Sequence, residues 1–181
     1  SVDFLVNNAG FGKWGEFSSY DRRIDLDMVQ VNCTAVVDLT HRLLPAMKQR
    51  RRGAVVIVSS VLGEIPAPWM AVYSATKAFD KLLAESLYTE LKDYGVDVVG
   101  IEPTMTQTEF RAGSGQKNPP VKSRTSEQVV ATTLAALGHV PSVADGWIAR
   151  TVVWIQRLFP RRLVLWVYTL FRSEKKRISH R

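Results

Sequence analysis

Cysteine is all but missing: Cys33 is the only one in 181 residues. That excludes an intrachain disulfide framework and fits a reducing compartment. Histidine is scarce too, and His41, His139 and His180 share no spacing with Cys33 that would hold zinc, so no metal site is expected. No uncharged run reaches the ~20 apolar residues a bilayer-spanning helix needs. No secretory leader is visible. An initiator Met is also missing, and the chain opens as SVDFLVNNAG, directly in an apolar run. The expectation is an N-terminally truncated chain.

Acidic residues are nearly missing from one end. Residues 147–181 hold seven Arg and two Lys against one Glu, a net +8, whereas the rest of the chain carries −1. The basicity is therefore a property of the tail. It is not a general nucleic-acid footprint, and no recognition motif accompanies it. A hydrophobic content of 46% excludes disorder as a description of the whole chain. The length suits one compact domain.

The apolar patterning alternates between two kinds of element. VDFLV (2–6), AVVIVSS (54–60) and VDVVGI (96–101) read as buried strands. Residues 21–50 read as helical, with Pro45 and KQRRRG bringing that region to its end. Residues 73–94 read as a long helix with Phe79, Leu82, Leu83, Leu87 and Leu91 on its apolar side and Gly95 as its stop. TSEQVVATTLAAL (125–137) opens on a capping box. Strands apolar throughout, alternating with amphipathic helices, predict an α/β fold with a doubly wound parallel sheet. In such sheets chemistry gathers beyond the carboxyl ends of the strands. The loops at 7–13, 59–70 and 102–110 fit that place. The polar stretch 102–125 is long enough to suggest a functional or mobile loop.

Within VYSATKAFD (72–80), Tyr73 and Lys77 are four apart and so share a helix face. A nearby cation favours the phenolate and lowers a Tyr pKa, making a proton donor or acceptor usable near neutral pH. Taken alone, the pair reads better as an ordinary helix with a half-buried Tyr and an exposed Lys, because such spacings arise often by chance.

The surrounding motifs decide between these. NNAG (7–10), VN (31–32), the VSS ending at Ser60, YSATK (73–77) and EPTMTQTEF (102–110) stand in one order. Together they resemble the short-chain dehydrogenase/reductase family of Rossmann-fold oxidoreductases, over residues 2 to about 138. Thirteen residues separate Ser60 from Tyr73, the family's spacing, which selects Ser60 over Ser59. The resemblance implies a catalytic set of Asn32, Ser60, Tyr73 and Lys77. Tyr73 would be the acid in carbonyl reduction, or the base in alcohol oxidation. Lys77 would lower its pKa and hold the nicotinamide ribose. Ser60 would bind the substrate oxygen, and Asn32 would hold a relay water. Asn7 would brace the strand end. Asn8, Ala9, Gly10, Tyr73, Lys77, Pro103, Thr104, Met105 and Thr108 would contact the cofactor, with Gly10 allowing close backbone approach. The cofactor implied is NADP or NAD, with NADP the first choice, and it carries the hydride chemistry. Ser60, Glu64, Met70 and Phe110 would line the substrate pocket, with Trp69 and Met105 as further candidates.

Two departures stand out. The family's Pro-Gly is Pro103-Thr104 here. Its glycine-rich phosphate loop and the residue that selects NAD over NADP are missing, and NNAGFGKWG follows the wrong strand to supply them. The 181-residue chain alone is therefore expected to be inactive and to fold poorly.

The expected organisation is a partial catalytic domain over 1–138 and a basic amphipathic helical tail over 139–181. In the tail, Trp and aliphatic residues alternate with Arg150, Arg157, Arg161 and Arg162. It reads equally as an interfacial membrane helix or as a substrate-site lid or subunit interface. The expected setting is cytoplasmic, with membrane association through the tail as the open question. A small carbonyl or alcohol is the expected partner, and the family implies a homo-oligomer through 73–94. Cys33 reads as a small core residue, and Asp80 and Lys81 as solvated helix charges. The rival function is a Rossmann-type binding or scaffold protein that has lost turnover.

Overall fold

The computed structural model describes residues 1–104, 106 and 123–178. Four strands, β1 (Phe4–Asn7), β2 (Gly53–Val58), β3 (Val96–Glu102) and β4 (Ser142–Ala144), form one sheet in the order β1-β2-β3-β4. Every pairing is parallel, with Val55 opposite Leu5 and Val98, and Ile101 opposite Val143. Parallel neighbours need crossovers, and helices supply them. These are α1 (Arg22–Val29) and α2 (Ala35–Arg50), then α3 (Ala71–Leu91), then α4 (Ser126–Ala136). Two further helices follow, α5 (Trp147–Arg157) and α6 (Arg161–Ile178).

The alternation of side chains along a strand divides the core in two. Val55 and Ile57 of β2 pack with Val36, Met47, Ala84 and Leu91, beneath α2 and α3. Their neighbour Val56 turns to the other face and packs with Val99, Ile101 and Ala136, beneath α4. Both faces of β2 are covered, which is why it reads as a continuous β-branched run rather than an alternating one.

Local signals act largely as expected. The capping box on α4 is present: Thr125 Oγ1 accepts from the Gln128 amide, and the Gln128 side chain accepts from the Thr125 amide. Gly95, at φ 65°, ends the turn that follows α3. The 21–50 region is two helices joined by a π-helical turn at Gln30–Thr34, and α2 runs through Pro45 to Arg50 before Arg51 closes it at φ 53°.

Three expectations need correction. β4 was not foreseen; at three residues it is too short for periodicity to reveal, and it puts residues 142–144 of the expected tail region into the sheet. The buried side of α3 is only in part the apolar one. Leu91 is buried and Leu83 and Leu87 pack against the core, but Phe79 and Leu82 face outward, and Tyr73, Ser74, Thr76, Lys77, Asp80 and Lys81 are buried. Asp80 and Lys81 are accordingly interior groups, not solvated charges. The apolar stripe misplaced the first half of the helix because its inward face there carries ion pairs.

Candidate active site

The carboxyl ends of β1, β2 and β3 open toward one edge of the sheet, and the loops leaving them are tied together there. The Val61 amide donates to the Pro103 carbonyl at 3.2 Å, linking the loops after β2 and β3. The Gly15 amide donates to the Trp69 carbonyl at 2.9 Å, linking the loop after β1 to the approach to α3. Trp14 and Trp69 stack across that link, with ring centroids 6.4 Å apart. Trp69 holds φ 66°, the left-handed region that a bulky residue rarely occupies.

Asn32 lies in the π-helical turn and is fully buried. The extra residue in such a turn re-aims a side chain that a regular helix would point elsewhere. Its Oδ1 accepts from the Phe11 amide at 3.1 Å, and its Nδ2 donates to the Phe11 carbonyl and to Thr76 Oγ1, both at 3.0 Å. Asn32 thus fastens the loop after β1 to α3. Asn7 donates to Thr40 at 3.1 Å and braces the end of β1 against α2. Asn8 and Ala9 are exposed.

Ser60 is in extended backbone at the end of β2, and its Oγ accepts from the Leu62 amide at 3.2 Å. The Ser60 side chain also acts on the Tyr73 hydroxyl, favouring its ionised form. Tyr73 sits with Met28, Ala67 and Met70 in an apolar cluster that Phe11, Trp14, Leu62 and Tyr168 complete. Burial pushes the phenol up to about 12; Ser60 opposes this, and the Asp80 charge adds to it. The expectation that Lys77 brings the phenol down toward neutral is therefore not met in this structure.

Burial is the first reason, and the ammonium is spent elsewhere. Lys77 is 5% exposed, and its Nζ donates to the Val58 carbonyl at 2.7 Å and to Asp80 Oδ2 at 2.9 Å. Gly10 stands beside it: a methyl group there would lie 3.5 Å from Lys77 Nζ and 3.1 Å from Asn32 Oδ1. Gly63 performs the same service behind the helix, where an added carbon would come within 2.7 Å of the Lys77 carbonyl. The loop at Gly63 therefore approaches α3 at a distance that only glycine permits, and at Gly10 a side chain would crowd Asn32.

Glu64 is taken up in an interior web. It pairs with Lys81, which lies 3.2 Å from Glu102 and 3.6 Å from Glu85. Its other oxygen accepts from Gln156 of α5 at 3.2 Å. Met70 is buried in the Tyr73 cluster. Met105, Thr108 and Phe110 lie outside the described residues. Cys33 borders a shallow groove with Val29, Ala71, Val72, Ala75 and Thr76. Burial pushes its thiol up to about 11, the mark of an inert cysteine. No cluster of metal-ligating side chains occurs among the described residues.

Sequence reading missed Asp80, Thr76 and the Lys81 web. Asp80 carried one usable signal: it is three residues after Lys77, on the same helical face.

The profile of the short chain dehydrogenase family matches residues 1–119. The chain belongs to that family. It is similar to Dehydrogenase/reductase SDR family member 7B of Xenopus laevis, at 33% identity over 88% of this chain and 53% of the relative. It is also similar to very-long-chain 3-oxoacyl-CoA reductase-A of Danio rerio, at 29% identity over 81% and 49%. The chain spans about half the length of the curated relatives it matches. Among solved structures, a short-chain dehydrogenase from Sphingobium yanoikuyae in complex with NADPH superposes with a TM-score of 0.72 at 28% identity, over 79% of this chain and 56% of that one. A 7β-hydroxysteroid dehydrogenase shares the fold at TM-score 0.82 and 24% identity, over 93% and 66%. As in other short-chain dehydrogenases, the sheet is parallel and flanked by helices.

Proposed function

We propose that the protein to which this chain belongs is an NADP-dependent reductase of ketones, with Tyr73 as proton donor and a bulky, lipid-like substrate. The observation that carries the reading is the convergence of Asn32, Ser60, Tyr73 and Lys77 at one sheet edge, where Asn32 is bonded to Thr76 and Gly10 stands beside both Asn32 and Lys77. The residues present fit a nicotinamide: Gly10 leaves room beside Lys77 Nζ that a side chain would fill. Lys77, Gly10, Pro103 and Thr104 would hold it. When bound, the cofactor supplies two electrons as hydride to the carbonyl carbon. Ser60 donates a hydrogen bond to the carbonyl oxygen, and Tyr73 delivers the proton as the C=O double bond becomes a C–O single bond. The product is a secondary alcohol, and the phenolate left behind recovers its proton from solvent through the Asn32 side of the site.

Apolar walls support the substrate class. Phe11, Trp14, Leu62, Met70 and Tyr168 surround Tyr73, and a relative is named a very-long-chain 3-oxoacyl-CoA reductase. The tail supports access from a lipid surface. Trp147, Trp154, Leu158, Phe159 and Trp166 are exposed on α5, α6 and the turn between them, beside Arg150, Arg161 and Arg162. Such a face suits the headgroup region of an anionic membrane. Among the described residues no helix is long and apolar enough to cross a membrane. Phe79 and Leu82, outward on α3, favour self-association.

The test is a fluorescence titration of the full-length protein with NADPH and NADH, followed by NADPH consumption with 3-oxoacyl-CoA esters of increasing chain length. Tighter binding of NADPH and turnover that rises with chain length are expected. Failure to bind either nucleotide would move the reading to a binding or scaffold protein. Flotation with phosphatidylserine vesicles, with and without residues 147–181, tests the tail separately.

A further inference from the structure

The tail helices α5 and α6 each turn one residue toward the site and, two positions earlier, a Trp away from it. Gln156 of α5 donates to Glu64 at 3.2 Å, while Trp154 is 66% exposed. Tyr168 of α6 packs against the Tyr73 cluster, while Trp166 is 59% exposed. At about 100° per residue, a separation of two puts these side chains on opposite faces of their helix. We propose that α5 and α6 roof the site and that the outer side of this roof docks on an anionic lipid bilayer, with the Glu64–Gln156 bond transmitting docking to the loop that carries Ser60. This rests on the function proposed above and supplies the route of its lipid-like substrate, from the membrane past Tyr168.

The inner side is fastened at three points. Arg150 Nε donates to the Ala144 carbonyl at 3.2 Å and Ala149 is buried, so the start of α5 is seated at the end of β4. Glu64, bonded by Gln156, is paired through its other oxygen with Lys81 of α3. Tyr168 brings α6 against the cluster of Met28, Ala67, Met70 and Tyr73. Glu64 is one short turn away from Ser60. The Gly63 amide donates to the Ser60 carbonyl at 2.8 Å, and the Glu64 amide donates to the Val61 carbonyl at 3.2 Å. A shift of α5 that moves Gln156 therefore reaches Ser60 through that turn.

The outer side has the chemistry of helices that lie in a membrane interface. Leu158 and Phe159 are exposed at the turn between the two helices, and exposed Arg161 and Arg162 follow almost at once. Residues 147–168 hold four Arg and no Asp or Glu, so no carboxylate of the roof repels an anionic headgroup. Trp side chains suit the depth of those headgroups, with the ring in the apolar layer and the N–H in the wet one. Uncompensated cations beside exposed Trp favour anionic lipid over a second copy of this equally basic face.

The full-length protein is mixed with vesicles of phosphatidylcholine, alone or with phosphatidylserine. Flotation, and quenching of Trp fluorescence by brominated lipid, should show binding only where phosphatidylserine is present. Arg161→Gln together with Arg162→Gln should weaken binding about thirtyfold, since each cation near an anionic surface is worth about fivefold in affinity. Trp154→Ser should lose most of the quenching. Amide hydrogen exchange reads the transmission. Docking should slow exchange at residues 62–64, and Gln156→Leu, which still floats, should lose that protection. No binding to anionic vesicles, equal binding to both kinds, or dimerisation that Trp154→Ser abolishes overturns the docking. Equal protection with and without Gln156 overturns the transmission. A protein that floats but reduces no ketone loses the proposed function and keeps the docking; an active one that does not float loses only the docking.

Discussion

The Ser59 hydroxyl donates to the main-chain carbonyl of Lys77 across 2.6 Å. Its neighbour Ser60 instead caps the turn after β2 and favours the ionised form of Tyr73. Adjacent serines thus serve different ends, one fixing the helix and the other facing the chemistry. Ser59→Ala should cost about 1–2 kcal/mol of stability, because a buried carbonyl loses its partner. Ser60→Ala should leave stability nearly unchanged and lower kcat about 100-fold or more, as expected for one donor to a developing oxyanion. Urea unfolding beside steady-state kinetics separates the two, and exchanged phenotypes would reverse the assignment.

Tyr73→Phe should lower reductive turnover about 100-fold or more, with nucleotide affinity retained. It should also change alkaline stability. The phenol rises from 10.0 to about 12 on folding, so the stability it contributes is fully present below pH 10 and is lost as pH climbs through about 12. The variant lacks that group, so its stability should fall less steeply over the same interval. Thermal melts across pH 9–12 measure this.

The Lys81 web makes a third prediction. Lys81 is the one cation among Glu64, Glu85 and Glu102, and one oxygen of Glu102 is buried without a partner. Lys81→Met would leave the buried Glu102 carboxylate without its cation, and should cost about 3 kcal/mol or more. Glu64→Gln keeps an acceptor for Lys81 and relieves one negative charge, so it should cost much less. Equal losses in urea unfolding would show that the web contributes little.

Burial raises the Asp80 carboxyl above its ordinary 3.8, with Lys77 opposing. A raised carboxyl favours the folded state most below 3.8, and that contribution is lost as pH rises through the higher folded value. Asp80→Asn cannot titrate. Its stability relative to the unmodified protein should therefore improve from acid toward neutral pH. A constant difference in melting temperature would place Asp80 in a more polar setting than its burial indicates.

Much of this was legible in the sequence, for identifiable reasons. β2 and β3 are β-branched runs buried on both faces, and Gly95 and the Thr125 capping box are local chemistry that needs no tertiary context. The site residues were legible because five motifs stand in the family's order; the helical spacing of Tyr73 and Lys77 alone did not select them. The orientation of α3 was legible in its second half, where Leu83, Leu87 and Leu91 pack inward, and not in its first. A period of 3.6 identifies a helix, yet it cannot say which face is inward where the inward one carries Lys77, Asp80, Lys81 and their partners. The raised Tyr73 phenol was hidden too: Lys77 alone predicts a shift downward, and only the fold reveals the burial that raises it, with the Asp80 charge adding to it. β4 escaped because three residues hold no period.

The π-helical turn at Gln30–Thr34 carries a constraint on how this protein can change. Removing one residue there would make the helix more regular and more stable as a helix. It would also rotate every later position by about 100°, the angle per residue of an α-helix. Asn32 would leave Phe11 and Thr76, and the loop after β1 would lose its tether. Shortening that a surface helix would tolerate is closed to this one. The irregular turn is better understood as a fixed hinge pin than as a flaw, and regularising the helix would unfasten the site.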